Sequence, residues 1–403
     1  MKKKIERAKG KLGILIPGLG TAATTFIAGV EAIRKGLAEP LGSLTQTGNI
    51  ASEKKAGKGY SKLTDYVSLA KLKDIVFGGW DTYSDNLFGA AGRAQTLRPL
   101  LQQIKTELQT IVPMKAVVDE SFLSDIDKIH VKQADNKFEL AKLVMYDIEN
   151  FSVANNCMRL IVIDWGAKER TIEVSEVHNS IEAFEEGLCN NHPDISPSMI
   201  YAYAALSLGV PFINGSGNSN SDIPALTELA KSTNTPVAGK DFKTRQPFKS
   251  TDYLPASDAS DFAVKNVAYK KNDLDGFKAE GIINENILQI QAHKDHQNSP
   301  DKIKIGFPAS VFNQAKKILG FFPEDIISGA SVVLDVALFI DLAKRAGMRG
   351  IQEWLSFYFT PPQAYPRLAA EHNASEQLIN LQNALYYLKG KDLMAHHDLD
   401  YYE

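Results

Sequence analysis

The sequence contains few cysteines and no long uninterrupted hydrophobic run. Only Cys157 and Cys189 occur in 403 residues, and their spacing fits neither a disulfide framework nor a cysteine-based metal site. The most apolar stretch, residues 330–343, carries Asp335 and Asp341 and is shorter than the roughly 20 residues that cross a bilayer. We therefore expect a cytoplasmic protein without a disulfide framework, a membrane span or a metal site.

The sequence also lacks a dominant charge of either sign. Lysine and arginine number 45 against 48 aspartates and glutamates, for a formal net charge of −3. Such a chain has no general attraction for nucleic acid or an anionic membrane, and we expect neither as a partner. The basic start, residues 1–4, is followed by further charged residues, so we interpret it as a tail before the first strand rather than a signal peptide.

What the sequence does contain is an alternation of short apolar segments and amphipathic segments. The predicted strands of the first part are residues 12–17, 75–77, 116–119, 160–164 and 210–214, and the predicted helices are 24–36, 94–111, 197–208 and 223–232. This alternation is typical of an α/β fold with a doubly wound parallel sheet of the Rossmann type. Later residues predict strands of a second, smaller sheet at 264–269, 288–292 and 302–307, and helices at 328–346 and 377–388.

Residues 18–23, Gly-Leu-Gly-Thr-Ala-Ala, match the G-x-G-x-x-A form of the dinucleotide-binding loop. The loop follows a predicted strand and opens a predicted helix, which is the context that the motif requires. Gly18 and Gly20 permit a tight turn and close approach to a pyrophosphate, and the small Ala23 lets the helix lie near the sheet. The helix start then offers free N–H groups to the anion. The loop predicts that the protein binds NAD.

Other polar residues near this loop are candidates for the same ligand. Thr21, Thr24 and Thr25 begin the helix and are expected to add hydroxyl donors. Asp81 follows the strand at 75–77, at the position where open α/β sheets bind ligands. Glu39 lies near the spacing of the usual ribose-binding acid but precedes a proline, so both acids remain candidates.

Seven segments of the sequence resemble the inositol-3-phosphate synthases, also called myo-inositol-1-phosphate synthases. They are Gly-Ser-Leu-Thr-Gln at 42–46, Phe-Gly-Gly-Trp-Asp at 77–81, Ile-Ser-Pro-Ser at 195–198 with Tyr-Ala-Tyr-Ala-Ala at 201–205, Phe-Ile-Asn-Gly-Ser at 212–216, Asp-Ile-Pro-Ala at 222–225, Gly-Lys-Asp-Phe-Lys at 239–243 and Gln-Glu-Trp-Leu-Ser-Phe-Tyr-Phe at 352–359. Their order and spacing, rather than any one of them, carry the resemblance.

The resemblance implies three regions in the chain. They are an NAD-binding Rossmann domain at residues 1–240, a shortened inserted α+β domain for catalysis and oligomerisation at 241–322, and helices at 323–403 that complete the first domain. It also implies a homo-tetramer that uses NAD to convert glucose 6-phosphate to 1D-myo-inositol 3-phosphate. The implied steps are oxidation, enolisation, intramolecular aldol closure and reduction, within inositol and phospholipid biosynthesis.

The resemblance further implies functional residues. The catalytic residues would be Lys243, Lys249, Lys316 and Asp241, since ammonium groups stabilise a developing enolate and hold a phosphate. The residues lining the cofactor, beyond Gly18, Gly20, Thr21, Ala23 and Asp81, would be Asn214, Gly215, Asn218, Gly239 and Asp325.

The sequence departs from the family pattern in the catalytic half. Thr360 stands where the family usually has a lysine, residues 272–276 are only a remnant of another family segment, and residues 165–169 lack two hydroxyls. Lys344 or Lys389 could replace the missing charge. Two alternatives therefore stay open: an NAD-dependent sugar-phosphate oxidoreductase of the same fold, and a catalytically impaired NAD-binding paralogue.

Overall fold

The computed structural model describes residues 5–38, 40, 43–54, 57–93, 98–123, 129–165, 169–218, 220–243, 267–270, 289–292, 302–306, 324–365 and 370–390. The strands are β1 (Lys11–Pro17), β2 (Asn49–Lys54), β3 (Gly57–Lys62), β4 (Ile75–Asp81), β5 (Met114–Lys115), β6 (Cys157–Asp164), β7 (Phe212–Asn214), β8 (Pro236–Ala238), β9 (Val267–Lys270), β10 (Gln289–Ala292), β11 (Lys302–Gly306) and β12 (Gly350–Ile351). The helices are α1 (Thr21–Arg34), α2 (Leu44–Thr47), α3 (Leu63–Tyr66), α4 (Leu87–Arg93), α5 (Arg98–Gln103), α6 (Lys105–Gln109), α7 (Lys137–Asn155), α8 (Ile181–Cys189), α9 (Pro197–Ser207), α10 (Pro224–Ser232), α11 (Glu324–Ala346) and α12 (Ala374–Leu388).

The largest sheet has seven strands in the order β12-β8-β7-β6-β1-β4-β5, and every neighbouring pair is parallel. From β1 the chain proceeds to β4 and β5 on one side and then to β6, β7, β8 and β12 on the other. The predicted doubly wound α/β fold is therefore confirmed. In such sheets ligands bind beyond the carboxyl ends of the strands where the strand order reverses, which here is around β1.

Strand β1 lies between β6 and β4 and is buried along almost its whole length, as its apolar sequence predicts. Two glycines on neighbouring strands make room for α7: an added Cβ at Gly13 or at Gly78 would lie less than 3 Å from the Phe151 ring. The small residues thus let α7 pack closely on this face of the sheet.

Helices cover both faces of the sheet and enclose two hydrophobic cores. α1 and α11 pack together on one face, and α7, α9 and α10 pack on the other. Phe26 and Phe339 belong to the first core, and Met199 and Leu206 belong to the second. No helix in the described ranges has both the length and the apolar character needed to span a membrane.

The end of the chain returns to the large sheet. β9, β10 and β11 form a separate antiparallel sheet in the order β10-β11-β9, in agreement with the predicted second sheet. After α11, β12 pairs in parallel with β8, with Gly350 opposite Pro236. The C-terminal segment therefore completes the sheet begun by the N-terminal one, whereas the domain boundaries at 240 and 322 remain predictions.

Several elements differ from the predictions. The single helix predicted at 94–111 is wrong, because α5 and α6 are separate and meet at Ile104. The strand predicted at 116–119 is also wrong: β5 ends at Lys115, and Ala116 forms only an isolated bridge with Val131. Sequence reasoning missed α7, because few of its residues are buried and the helical periodicity of its apolar residues is weak.

Candidate functional site

A cleft of about 470 Å³ lies at the carboxyl ends of β1, β4, β5 and β6. Its walls come from the loop at residues 17–23, the segments that follow β4, β5 and β6, and the first turns of α9. The cleft therefore lies at the reversal of strand order, where the predicted phosphate loop is also located.

The phosphate loop presents an open helix start to this cleft. The Gly18 amide donates a 2.8 Å hydrogen bond to the Trp80 carbonyl, and Gly18 has a φ of +80° that favours glycine. Gly20 precedes α1 and offers no side-chain cap, and an added Cβ at Gly20 would meet no atom within 4 Å. The first N–H groups of α1 and the space beyond Gly20 thus fit an anionic group such as a pyrophosphate.

The three threonines of this region have different roles. Thr24 donates to the Leu19 carbonyl at 3.2 Å and Thr25 donates to the Thr21 carbonyl at 2.7 Å, and both side chains are buried. Thr21 lines the cleft. The expectation that Thr24 and Thr25 are ligand donors is therefore wrong, because their hydroxyls bind the backbone around the start of α1.

Asp81 ends β4 at the rim of the same cleft. One carboxylate oxygen accepts a 3.0 Å hydrogen bond from the Tyr83 amide, and the Asp81 carbonyl lies 3.1 Å from His130 Nδ1. The first contact orients the carboxylate, and the second holds the backbone of Asp81 at the rim of the cleft. Glu39, the other candidate for a ribose-binding acid, lies outside the described residues.

Glu169 is a buried acid of the cleft that sequence reasoning missed. Oε1 accepts from the Ser198 amide at 2.8 Å, while Oε2 accepts from Ser198 Oγ at 2.6 Å and from Asn220 Nδ2 at 3.1 Å. Glu169 thereby satisfies a free N–H at the start of α9. The Ser196-Pro197 start of α9 was a visible signal for an N-terminus, but its acidic partner comes from another segment.

The predicted cofactor residues Asn214 and Asn218 belong to a buried network after β7. Asn214 Oδ1 accepts from the Ser216 amide and hydroxyl at 3.1 and 3.0 Å, and Asn214 Nδ2 donates to the Asn218 carbonyl at 3.1 Å. Asn218 accepts from the Asn220 amide at 3.1 Å, and Asn220 binds Glu169. Both asparagines therefore shape the loop whose far end reaches the cleft wall.

Gly215 brings the next predicted segment, residues 239–243, against this loop. An added Cβ at Gly215 would lie 2.0 Å from the Phe242 ring, and the Phe242 amide donates to the Gly215 carbonyl at 3.2 Å. Phe242 also stacks on Phe359, with ring centroids 5.3 Å apart. Glycine is thus required here by close packing.

The predicted catalytic residue Asp241 lies beside Thr360, where the resemblance predicts a lysine. The Thr360 amide donates to the Asp241 carbonyl at 2.8 Å, and the Lys243 amide donates to the Tyr358 carbonyl at 3.0 Å. The segment that carries Gly239, Asp241 and Lys243 is therefore paired along its length with the segment that carries Thr360.

Lys243 is buried on the side of the fold covered by α12. Nζ donates a 2.6 Å hydrogen bond to Gln377 Oε1 and lies 5.6 Å from the centre of the Phe357 ring, and the residue is 1% exposed. Lys249 and Lys316 lie outside the described residues. Asp325 lies in α11, and its side chain also lies outside the described part.

Neither alternative lysine lies close to Thr360. Lys344 donates to the Asn234 carbonyl at 2.9 Å and to Thr235 Oγ1 at 3.0 Å, at the amino end of β8 and hence on the opposite edge of the sheet. Lys389 follows α12, 12 residues and roughly 18 Å beyond Gln377. The expectation that either lysine replaces the missing charge is therefore wrong.

Asp335 of α11 holds the Gly-Ser-Leu-Thr-Gln segment, residues 42–46, by hydrogen bonds. Its carboxylate accepts from the Leu44 amide at 2.7 Å, from the Thr45 amide and hydroxyl at 3.0 and 2.6 Å, and from the Ser43 hydroxyl. The Tyr358 hydroxyl donates to it at 3.2 Å. Burial raises the pKa of Asp335 to about 6. These contacts tie two resembling segments to α11.

Comparisons with known proteins agree with this geometry. The family described as "Myo-inositol-1-phosphate synthase" matches residues 12–386. An inositol-3-phosphate synthase of Bacteroides thetaiotaomicron is 34% identical and aligns with 97% of this chain and 98% of its own length. One from Oryza sativa subsp. japonica is 33% identical over 59% of this chain and 49% of its own length.

A solved structure has the same fold. It is the inositol-3-phosphate synthase of Caenorhabditis elegans, with a TM-score of 0.72 and 20% identity, and the match covers 96% of this chain and 87% of that one. The family match along nearly the whole chain shows that this protein belongs to the myo-inositol-1-phosphate synthase family.

Proposed function

We propose that this protein is an NAD-dependent inositol-3-phosphate synthase that converts glucose 6-phosphate to 1D-myo-inositol 3-phosphate. The observation that carries the proposal is the cleft that the uncapped start of α1 shares with the carboxylate of Asp81. Family membership supports the same activity. The proposed reaction oxidises the substrate, enolises it, closes the ring by an intramolecular aldol addition and reduces the product, without net consumption of NAD.

The residues of the cleft fit a dinucleotide. Gly18 and Gly20 would bring backbone N–H groups to the pyrophosphate, with the Thr21 hydroxyl as a further donor. Asp81 would accept hydrogen bonds from the adenosine ribose, and its charge would repel an additional phosphate there, which favours NAD over NADP. The chemistry that NAD supplies when bound is reversible acceptance of a hydride.

The proposed catalytic residues are Lys243, Lys249, Lys316 and Asp241. The ammonium groups of the three lysines would stabilise the negative charge on the keto and enolate oxygens and hold the substrate phosphate. Burial supports a role for Lys243, because an ammonium in a site of low dielectric acts more strongly on a nearby anion than one in water. Gln377 fixes the direction of this ammonium.

Thr360 favours a second candidate function, an NAD-binding member of this family with impaired synthase activity. A threonine supplies no positive charge, and loss of one group that meets developing charge typically reduces kcat about 100- to 1,000-fold. A simpler NAD-dependent sugar-phosphate oxidoreductase would tolerate the same replacement.

One incubation separates these functions. Purified protein is mixed with NAD and glucose 6-phosphate, and both inositol phosphate and NADH are measured over time. A synthase forms inositol phosphate without accumulating NADH, an oxidoreductase accumulates NADH with a suitable sugar phosphate, and an impaired relative binds NAD but forms neither. Absence of inositol phosphate at high protein concentration would reject the proposed synthase.

We further propose that the chain forms a homo-tetramer, which is the assembly implied by the resemblance. Size-exclusion chromatography with light scattering measures this directly, and a mass near that of one chain would reject it.

A further inference from the structure

The carboxylate of Glu169 is a fixed negative charge in the wall of the cleft. The residue is 5% exposed, and its two oxygens accept from the amide and hydroxyl of Ser198 and from the side-chain amide of Asn220. All three groups are neutral donors. Hydrogen bonds from neutral donors on both oxygens suit a carboxylate, which accepts but does not donate, and they bring no positive charge to it.

Glu169 and Asp81 lie on different sides of the phosphate loop. Asp81 ends β4 and Glu169 follows β6, while β1, which leads into the loop, lies between these two strands. A dinucleotide bound with its pyrophosphate at α1 and its adenosine ribose at Asp81 would place its other half on the β6 side of the loop. The carboxylate of Glu169 would therefore lie in the half of the cleft that receives the nicotinamide.

We propose that Glu169 makes the cleft bind oxidised NAD more tightly than NADH. This inference rests on the proposed function, because it requires NAD as the ligand. The oxidised nicotinamide ring carries a positive charge and the reduced ring is neutral, so a nearby anion stabilises only the oxidised form. Since Glu169 is buried, dissolved salt screens this attraction weakly. The cleft would then hold the cofactor in the state in which it accepts a hydride.

The test compares dissociation constants for NAD and NADH, measured by calorimetry and by NADH fluorescence. In the wild type we expect NAD to bind more tightly. Glu169→Gln keeps the size of the side chain and removes its charge, and we expect it to reduce the ratio of the two constants by roughly five- to twentyfold. Thermal unfolding of each variant checks that it is folded.

Asp147→Asn is the matched control. Asp147 is also a largely buried carboxylate, but it binds Trp80 Nε1 at 2.7 Å and pairs with Lys132 at 2.7 Å, and it does not itself line the cleft. We expect this variant to leave the ratio unchanged. Glu169→Asp retains the charge and should retain most of the preference.

Four outcomes contradict the inference. If Glu169→Gln weakens the binding of NAD and of NADH equally, the residue has a purely structural role. An equal change of the ratio in Asp147→Asn would mean that the effect is not specific to the cleft. Equal affinities in the wild type would overturn the inference without any variant, even if Glu169→Gln does not fold, and would leave the proposed function intact. Failure of the wild type to bind either form would overturn both.

Discussion

Lys243 and Gln377 join two parts of the chain that are 134 residues apart: the lysine Nζ donates a 2.6 Å hydrogen bond to the amide oxygen of the glutamine. Lys243 lies near the start of the stretch that the resemblance assigns to an inserted domain, and Gln377 lies in the first turn of α12. Helix α12 thereby fixes the direction of a proposed catalytic ammonium.

The first prediction concerns this lysine. Lys243→Met removes the charge and keeps most of the buried volume, so we expect loss of inositol phosphate formation with an unchanged dissociation constant for NAD. Burying the Gln377 oxygen without its donor should lower the free energy of unfolding by about 1–3 kcal/mol. Gln377→Leu is the control. It keeps the ammonium of Lys243 but removes its hydrogen-bond acceptor, and it should retain part of the turnover. Full activity of Lys243→Met would exclude a catalytic role.

The second prediction concerns the phosphate loop. Gly20→Val places a side chain where a pyrophosphate would lie, so NAD binding should be lost. The protein itself has room for this change, since an added Cβ meets no atom within 4 Å and the φ of −72° suits valine. We therefore expect the free energy of unfolding to change by no more than about 1 kcal/mol.

Gly29→Ala on the same helix is the matched control for Gly20→Val. An added Cβ there also meets no atom within 4 Å, and alanine should stabilise the helix by roughly 0.5–1 kcal/mol while leaving NAD affinity unchanged. Retention of wild-type NAD affinity in Gly20→Val would refute the assignment of the loop.

The third prediction concerns the pH dependence of stability. Burial raises the pKa of Asp335 from its ordinary 3.8 to about 6, so the folded state binds this proton more tightly than the unfolded state. The contribution of Asp335 to the free energy of unfolding is therefore fully present below pH ~4. It is lost as the pH rises to ~6, a change of up to about 3 kcal/mol. Asp335→Asn cannot titrate. The difference in unfolding free energy between wild type and variant should change between pH 4 and 6; a difference that stays constant over this interval would contradict the assignment.

The fourth prediction concerns the missing family lysine. Thr360 lies next to Asp241, whose carbonyl accepts the Thr360 amide. Thr360→Lys would restore the charge, and we expect turnover to rise about tenfold or more without a change in NAD affinity. Thr360→Met adds similar bulk without charge and should leave turnover low. Equal turnover of wild type and Thr360→Lys would show that this position does not limit the reaction.

The part of the fold set by local patterns was predictable from the sequence. β1 is a continuous apolar run, and the glycines at 18 and 20 require a turn before a helix, so strand, loop and helix follow from neighbouring residues. α7 was missed because only a few of its positions are buried. Asn136, whose side chain accepts from the Glu139 amide and so caps α7, was the available signal.

The contacts that shape the site depend on distant segments and were therefore not predictable. The Ser43 hydroxyl contacts Asp335 across 292 positions of the sequence, and Glu169 contacts Ser198 and Asn220 across 29 and 51 positions. For Thr24 and Thr25 the prediction failed because of local contacts. Their residue type and spacing suited ligand binding, but their hydroxyls donate hydrogen bonds to nearby backbone carbonyls.

The pairing of β12 with β8 has a consequence for synthesis of the protein. β1 ends at Pro17 and β12 begins at Gly350, so at about 5–20 residues per second a ribosome needs roughly 15–70 s after completing β1 before it delivers the last strand. During most of that interval α1 has been synthesised but α11, which packs with it on one face of the sheet, has not. The apolar surface that α11 buries in the folded protein is therefore available to a chaperone, or to aggregation, for an extended period. This period ends when the C-terminal segment leaves the ribosome.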